Sequence, residues 1–197
     1  MNKAIFHKVG TVALVAVMAA PFAANAESSF ASGAGALSTN ARVDFQITIP
    51  KFVSLRVGSA AAPISLVTFS PTAAQIDAGG AVAGVGGDLG GGVVTAIVRG
   101  NGGNVTLAAS TLGALQNGAN TIDWTEITTA TSVPALTPPA LANGASVSTT
   151  VSAAANGVVN QTAAWTYTYD NTDVVAAGSY GGVGVNNGRV TYTASVL

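Results

Sequence analysis

Residues 41–58 read ARVDFQITIPKFVSLRVG, and this stretch limits the fold more tightly than any other. Val43, Phe45, Ile47 and Ile49 fall on one face of an extended chain, with Asp44, Gln46 and Thr48 on the other. Successive side chains of a strand point to opposite sides, so strict period two predicts a half-buried strand. Beyond Pro50 and Lys51 the alternation restarts as Val53, Leu55 and Val57 against Ser54 and Arg56. Proline has no N–H to give a ladder and rarely sits in a central strand. The stretch therefore reads as strand, break, strand. Two readings are open for the first strand. It is an edge strand of its own domain, or it is carried into a neighbouring body while the second strand opens the chain's own fold. Alternation does not separate them; the Pro50 break and the position near the start of the processed chain favour the second.

That start comes from the N-terminal residues. Lys3 and Lys8 flank the beginning, residues 9–20 are apolar, and Ala24-Asn25-Ala26 is a small-x-small cleavage site. Residues 1–26 are thus expected to be a secretory signal peptide. A retained anchor is the alternative, and the apolar run is short for a membrane span. The exported chain, residues 27–197, is long enough for one domain with a real core. It carries no cysteine, so no disulfide framework supports it and burial with strand pairing must supply the stability. All eight carboxylates lie beyond residue 26, against only Arg42, Lys51, Arg56, Arg99 and Arg189. There is no basic patch, and no nucleic-acid partner is expected.

The sequence excludes several chemistries. The single histidine, His7, falls in the signal segment. The exported chain thus has neither histidine nor cysteine, which removes serine–histidine and cysteine–histidine nucleophiles and His/Cys zinc sites. Asp123 and Glu126 lie three apart on an expected strand, point to opposite faces and do not readily pair as acid and base within it; a carboxylate-only glycosidase stays open, with nothing in the sequence to place two carboxylates together. The glycine-rich stretch 78–92 has no Gly-x-Gly-x-x-Gly spacing and no Gly-Lys pair, so a phosphate cradle is not supported. Asp170-Asn171-Thr172-Asp173 offers oxygens to calcium but lacks the spaced set of a calcium loop, and these residues are ordinary turn formers. Trp124, Trp165, Tyr167 and Tyr169 could form a glycan-binding platform or pack in the core. Each sits in an alternating strand, which favours packing. The chain reads as non-enzymatic, with no catalytic residue, metal site or cofactor.

Along the chain, residues 27–40 read as a small, polar leader. After 51–58, residues 64–69 are expected to form a short strand and 78–92 a long loop, since glycine loses the most entropy on ordering. Residues 93–98 read as a central strand, joined by the turn 99–103 to a hairpin partner at 105–108. Further strands are expected at 121–127, 147–151, 164–169 and 189–196, with 133–139 kept from pairing by proline. Eight or nine short strands without helical periodicity point to an all-β, immunoglobulin-like antiparallel sandwich over 51–197, preceded by the segment 27–50.

Two places carry a family resemblance. One is the N-terminal order of signal peptide, leader, alternating strand, break and a Val-x-Leu-x-Val strand ending at Gly58. The other is the run Ala176-Ala177-Gly178-Ser179-Tyr180 followed by Gly188-Arg189-Val190-Thr191-Tyr192-Thr193-Ala194. Together they resemble chaperone–usher pilus subunits, most closely the archaic, spore-coat-U-like pilins. The resemblance implies a sandwich missing one strand, which a periplasmic chaperone lends until, at the outer-membrane usher, the next subunit's N-terminal extension replaces it. Val43, Phe45, Ile47 and Ile49 would be the donor side chains. The acceptor groove would be flanked by Phe52, Val53, Leu55, Val57, Val190, Tyr192, Ala194 and Val196. The implied product is a head-to-tail filament of identical copies at the cell surface, serving adhesion to a host or abiotic surface or biofilm formation. The chain departs from the family in lacking its usual cysteine pair, with Phe52 or Val53 in the region of the first. The alternative function is a self-complete secreted sandwich that binds carbohydrate or matrix.

Overall fold

The computed structural model describes residues 29–196, and the expected signal peptide lies outside the described residues. The chain divides into two units, residues 1–48 and 49–197. In the first, the described residues 29–48 form no strand and are almost all exposed. The strand expected over 41–49 therefore joins no ladder among the described residues. An extended segment becomes a strand only when a partner takes its peptide groups.

The second unit is all-β. Its strands are β1 (Val53–Val57), β2 (Val67–Thr68), β3 (Val82–Ala83), β4 (Val85–Gly86), β5 (Val93–Gly100), β6 (Val105–Ser110), β7 (Leu115–Asn117), β8 (Asn120–Ile122), β9 (Ile127–Thr131), β10 (Thr149–Val151), β11 (Val159–Tyr169) and β12 (Thr191–Ser195). The largest sheet runs β1-β5-β11-β3, with β9 also paired to β11. A second sheet runs β10-β6-β12, and β2-β4 and β7-β8 form two small ribbons. Every one of these pairings is antiparallel. Among the described residues no helix is long and apolar enough to cross a membrane.

The two larger sheets share one core. From the first come Val94, Ala96 and Val98 of β5 with Ala163, Trp165, Tyr167 and Tyr169 of β11; from the second, Val105, Leu107 and Ala109 of β6 with Val151 of β10. The register sets Ala96 beside Ala163 and Val94 beside Trp165, so small residues leave room for large ones. The two buried indole N–H groups are satisfied inside, as buried Trp requires. Trp165 Nε1 donates to the Leu136 carbonyl at 3.0 Å and Trp124 Nε1 to that of Gly113 at 2.9 Å.

Several expectations need correction. The turn after β5 does not make a hairpin: β5 pairs with β1 and β11, whereas β6 pairs with β10 and β12. Residues 101–104 carry the chain from one sheet to the other, which lets both Val98 and Val105 be fully buried in the shared core. The glycine-rich stretch is not a plain loop, because it contains β3 and β4, paired to β11 and β2. Its glycines permit backbone-on-backbone packing: a Cβ on Gly84 would lie 2.8 Å from the Gly92 Cα. A short helix, α1 (Ala73–Ala78), appears where no helix was expected. Its capping box, with Thr72 and Gln75 each satisfying the other's backbone N–H, supplies the local signal that periodicity over six residues cannot. Residues 121–127 are not one strand; β8 ends at Ile122 and a 3-10 turn, Trp124–Glu126, tips Trp124 into the core. The strand expected at 64–69 shrinks to the two residues of β2, leaving Ile64 and Leu66 exposed.

Candidate functional site

The most telling feature of the second unit is a pair of strand edges. β1 pairs only with β5 and β12 only with β6, so each keeps one edge without a strand partner among the described residues. The two strands run close together without pairing. Beside them lies a cavity of about 300 Å³, lined by Leu55 and Val57 from β1, by Thr191 and Tyr192 from β12 with Arg189 and Val190 just before it, and by Ile64.

The walls follow from the local sequence. Leu55 lies opposite Val98 and Val57 opposite Ala96 in the β1–β5 register, which turns both toward the core face. Over β12 and the residue on either side of it, Val190, Tyr192, Ala194 and Val196 are half-buried, and Thr191, Thr193 and Ser195 exposed. That is the period-two pattern read from the sequence. Tyr192 is anchored beneath the cavity, its ring 5.4 Å from Trp165 and its hydroxyl 2.8 Å from that of Tyr167. Burial pushes the Tyr167 hydroxyl up to about 12 and raises that of Tyr192 well above its ordinary value. A phenol is neutral at neutral pH in any case; burial keeps these two protonated into alkaline pH as well, and the wall they support carries no charge toward an apolar occupant.

Of the residues expected to flank an acceptor groove, Leu55, Val57, Val190 and Tyr192 come together around this cavity. Ala194 and Val196 continue the half-buried row of β12 outside the cavity lining, while Phe52 and Val53 lie exposed at the start of β1. Sequence reasoning missed Ile64, assigned to a strand, and Arg189, read only as part of one. It also missed Asn101, whose side chain binds the backbone on both sides of Lys51. An Asn-Gly pair in a turn is the only sequence signal at that position.

The expected donor residues remain uncovered. Val43, Phe45, Ile47 and Ile49 are 74%, 89%, 86% and 74% exposed. Four large apolar residues at alternate positions would share one face once the segment is extended as a strand, and an exposed apolar face of that kind marks an interaction surface.

The remaining candidates have ordinary structural partners. Trp124, Trp165, Tyr167 and Tyr169 are all buried, as packing requires, and none presents a flat ring to solvent. Asp123 accepts from Asn143 Nδ2 at 2.7 Å and Glu126 from the Thr172 backbone at 2.9 Å. These two carboxylates sit around a 3-10 turn with separate partners, which corrects the strand on which their opposed directions were expected. In the turn after β11, Asn171 is buried with φ 53° and its Nδ2 donates to the Gln75 carbonyl at 2.8 Å, tying the turn to α1. No family model, no curated protein and no solved structure matches the chain.

Proposed function

We propose that this chain is a structural subunit of an extracellular pilus or fibre, assembled by donor-strand exchange between copies. The observation that carries the reading is the pairing of a deficit with a surplus. Two neighbouring strand edges flank a largely apolar cavity, and the same chain carries a segment outside every ladder with four exposed apolar side chains at alternate positions. Open edges and apolar clefts are costly and prone to aggregation. An inserted strand satisfies the backbone groups of the edge and seats alternate side chains in the cleft. Burying Phe45, Ile47 and Ile49 would contribute roughly 1.5–3 kcal/mol each. In this reading the second unit is an immunoglobulin-like sandwich lacking one strand, and residues 41–49 of one copy complete the next. Each copy then gives and receives once through different surfaces, a heterologous contact that need not close and so makes a filament.

The reading implies a periplasmic chaperone that guards the groove before assembly, an outer-membrane usher as the site of exchange, and a final location at the cell surface in adhesion or biofilm formation. The test compares the exported chain, residues 27–197, with a form lacking residues 27–50, by electron microscopy and unboiled gels. Fibres or heat-resistant ladders from the longer form, and a shorter form that stays monomeric and captures a 41–49 peptide, support the proposal. A well-folded longer monomer, with a shorter form that unfolds and is not rescued by peptide, overturns it in favour of a self-complete secreted module.

A further inference from the structure

We infer that Asn101 directs residues 41–49 toward another copy of the chain and away from its own groove; the inference rests on the donor-strand reading above. The ladder of β1 on β5 ends with Val53 opposite Gly100, because the chain beyond Gly100 turns across to β6. One residue further on, Asn101 acts in place of a strand partner. Its Oδ1 accepts from the Phe52 N–H at 2.8 Å and its Nδ2 donates to the Pro50 carbonyl at 2.9 Å. Its own backbone N–H donates to the Phe52 carbonyl at 3.3 Å. A carboxamide suits the task because it carries both an acceptor and donors, and Pro50, which has no N–H, is held through its carbonyl alone.

The consequence is directional. In an extended strand, alternate residues turn their hydrogen-bonding groups to the same side. Pro50 and Phe52 are alternate residues, and both face Asn101 on the side of β1 that β5 occupies. The bracket thus holds residues 50–52 as a straight continuation of β1. The edge that an inserted strand would meet is the opposite one, since β5 fills the first.

Only Pro50, Lys51 and Phe52 separate Ile49 from β1. To enter its own groove beside β1, the chain has to reverse within those three residues, as in a tight hairpin. Such a reversal turns the Pro50 carbonyl and the Phe52 N–H away from the Asn101 carboxamide. Insertion into a neighbour's groove requires no reversal and keeps the bracket whole. Asn101 is therefore a positioning residue for exchange between copies: it opposes closure within one chain and leaves assembly unopposed.

The test uses the full exported chain as wild type, Asn101→Ala and Asn101→Asp, refolded at equal concentration. Two readouts are taken: the ladder-to-monomer ratio on unboiled gels, and protease cutting within residues 41–49 of the monomer. Asn101→Ala is expected to raise the fraction of closed monomer, with residues 41–49 protected, roughly tenfold, the effect of losing one to two hydrogen bonds. Asn101→Asp keeps the acceptor for Phe52 and loses the donor to Pro50, so its rise is smaller. It decides the matter alone where the alanine variant does not fold. Ladders at wild-type proportion in the folded variants, or monomers whose residues 41–49 are cut as readily as before, overturn the inference. A wild-type chain that gives neither fibres nor ladders instead removes the donor-strand reading, and this inference falls with it.

Discussion

Residues 43–49 and residues 163–169 of β11 carry the same alternation and meet opposite ends. In β11 the alternate residues Ala163, Trp165, Tyr167 and Tyr169 are at most 8% exposed, whereas Val43, Phe45, Ile47 and Ile49 are at least 74% exposed. The difference lies in what flanks each segment. β11 is paired with β5 as far as Thr166 and with β3 at Thr168 and Tyr169, and with β9 over residues 165–169. Its peptide groups are paired and its Trp165 N–H reaches the Leu136 carbonyl. Residues 43–49 have no ladder partner among the described residues. Alternation thus encodes a face that is fit for burial; whether burial happens depends on strands supplied from far along the sequence, or from another molecule.

Substitutions in the two segments are expected to act on different properties. The largest effect is expected at Phe45. Phe45→Asp places a charge on the face that assembly would bury, which costs several kcal/mol when unpaired. Ladders on unboiled gels should vanish while the melting temperature of the monomer stays at its wild-type value. A variant that still polymerises would show that this face is not the one inserted. Trp165→Ala should do the reverse, lowering the stability of the monomer by about 3–5 kcal/mol in denaturant titration, because a large cavity opens at the centre of the core.

Alkaline pH tests the same core without mutation. Tyr167 has its hydroxyl raised from 10.0 to about 12 by burial, so the folded state holds its proton more tightly than the unfolded chain does. This contribution is whole below pH 10 and is lost as pH climbs through the folded value. It amounts to about 2–3 kcal/mol for a shift of this size. The urea midpoint should be flat from neutral pH to about 10 and fall beyond, and a midpoint flat to pH 12 would contradict the buried phenol pair. Tyr192→Phe removes the partner of the Tyr167 hydroxyl and should cost about 1–2 kcal/mol, with the fall above pH 10 made shallower. The smallest effect is expected at α1: Thr72→Ala deletes the cap and should cost about 1 kcal/mol, read as faster amide exchange confined to Ala73–Ala78 and the Asn171 turn that packs on it.

Legibility in the sequence followed the range of the interaction. The aromatic face of β11, the alternating row of β12 and the core-facing Leu55 and Val57 of β1 were readable because a strand's faces are fixed by neighbouring residues. The candidate groove was readable to the same extent: its four central residues lie on those faces. Ile64 joins it across a break in the chain, and Asn101 acts on Pro50 and Phe52 from about fifty positions away, so neither left a periodic trace.

By itself, then, the sequence determined that the described chain would be β-rich, which residues could share a face, and that histidine- and cysteine-based chemistry has no place beyond residue 26. Tertiary structure alone decided which strands meet. It sent β6 to the other sheet in place of a hairpin with β5, drew two short strands from a glycine-rich stretch, curled Trp124 inward on a 3-10 turn, and left the edges of β1 and β12 side by side. The physical reason is that a side chain's direction is set by its own backbone, whereas hydrogen-bond pairing and close packing are settled between segments, by which sets of peptide groups and volumes can all be satisfied together.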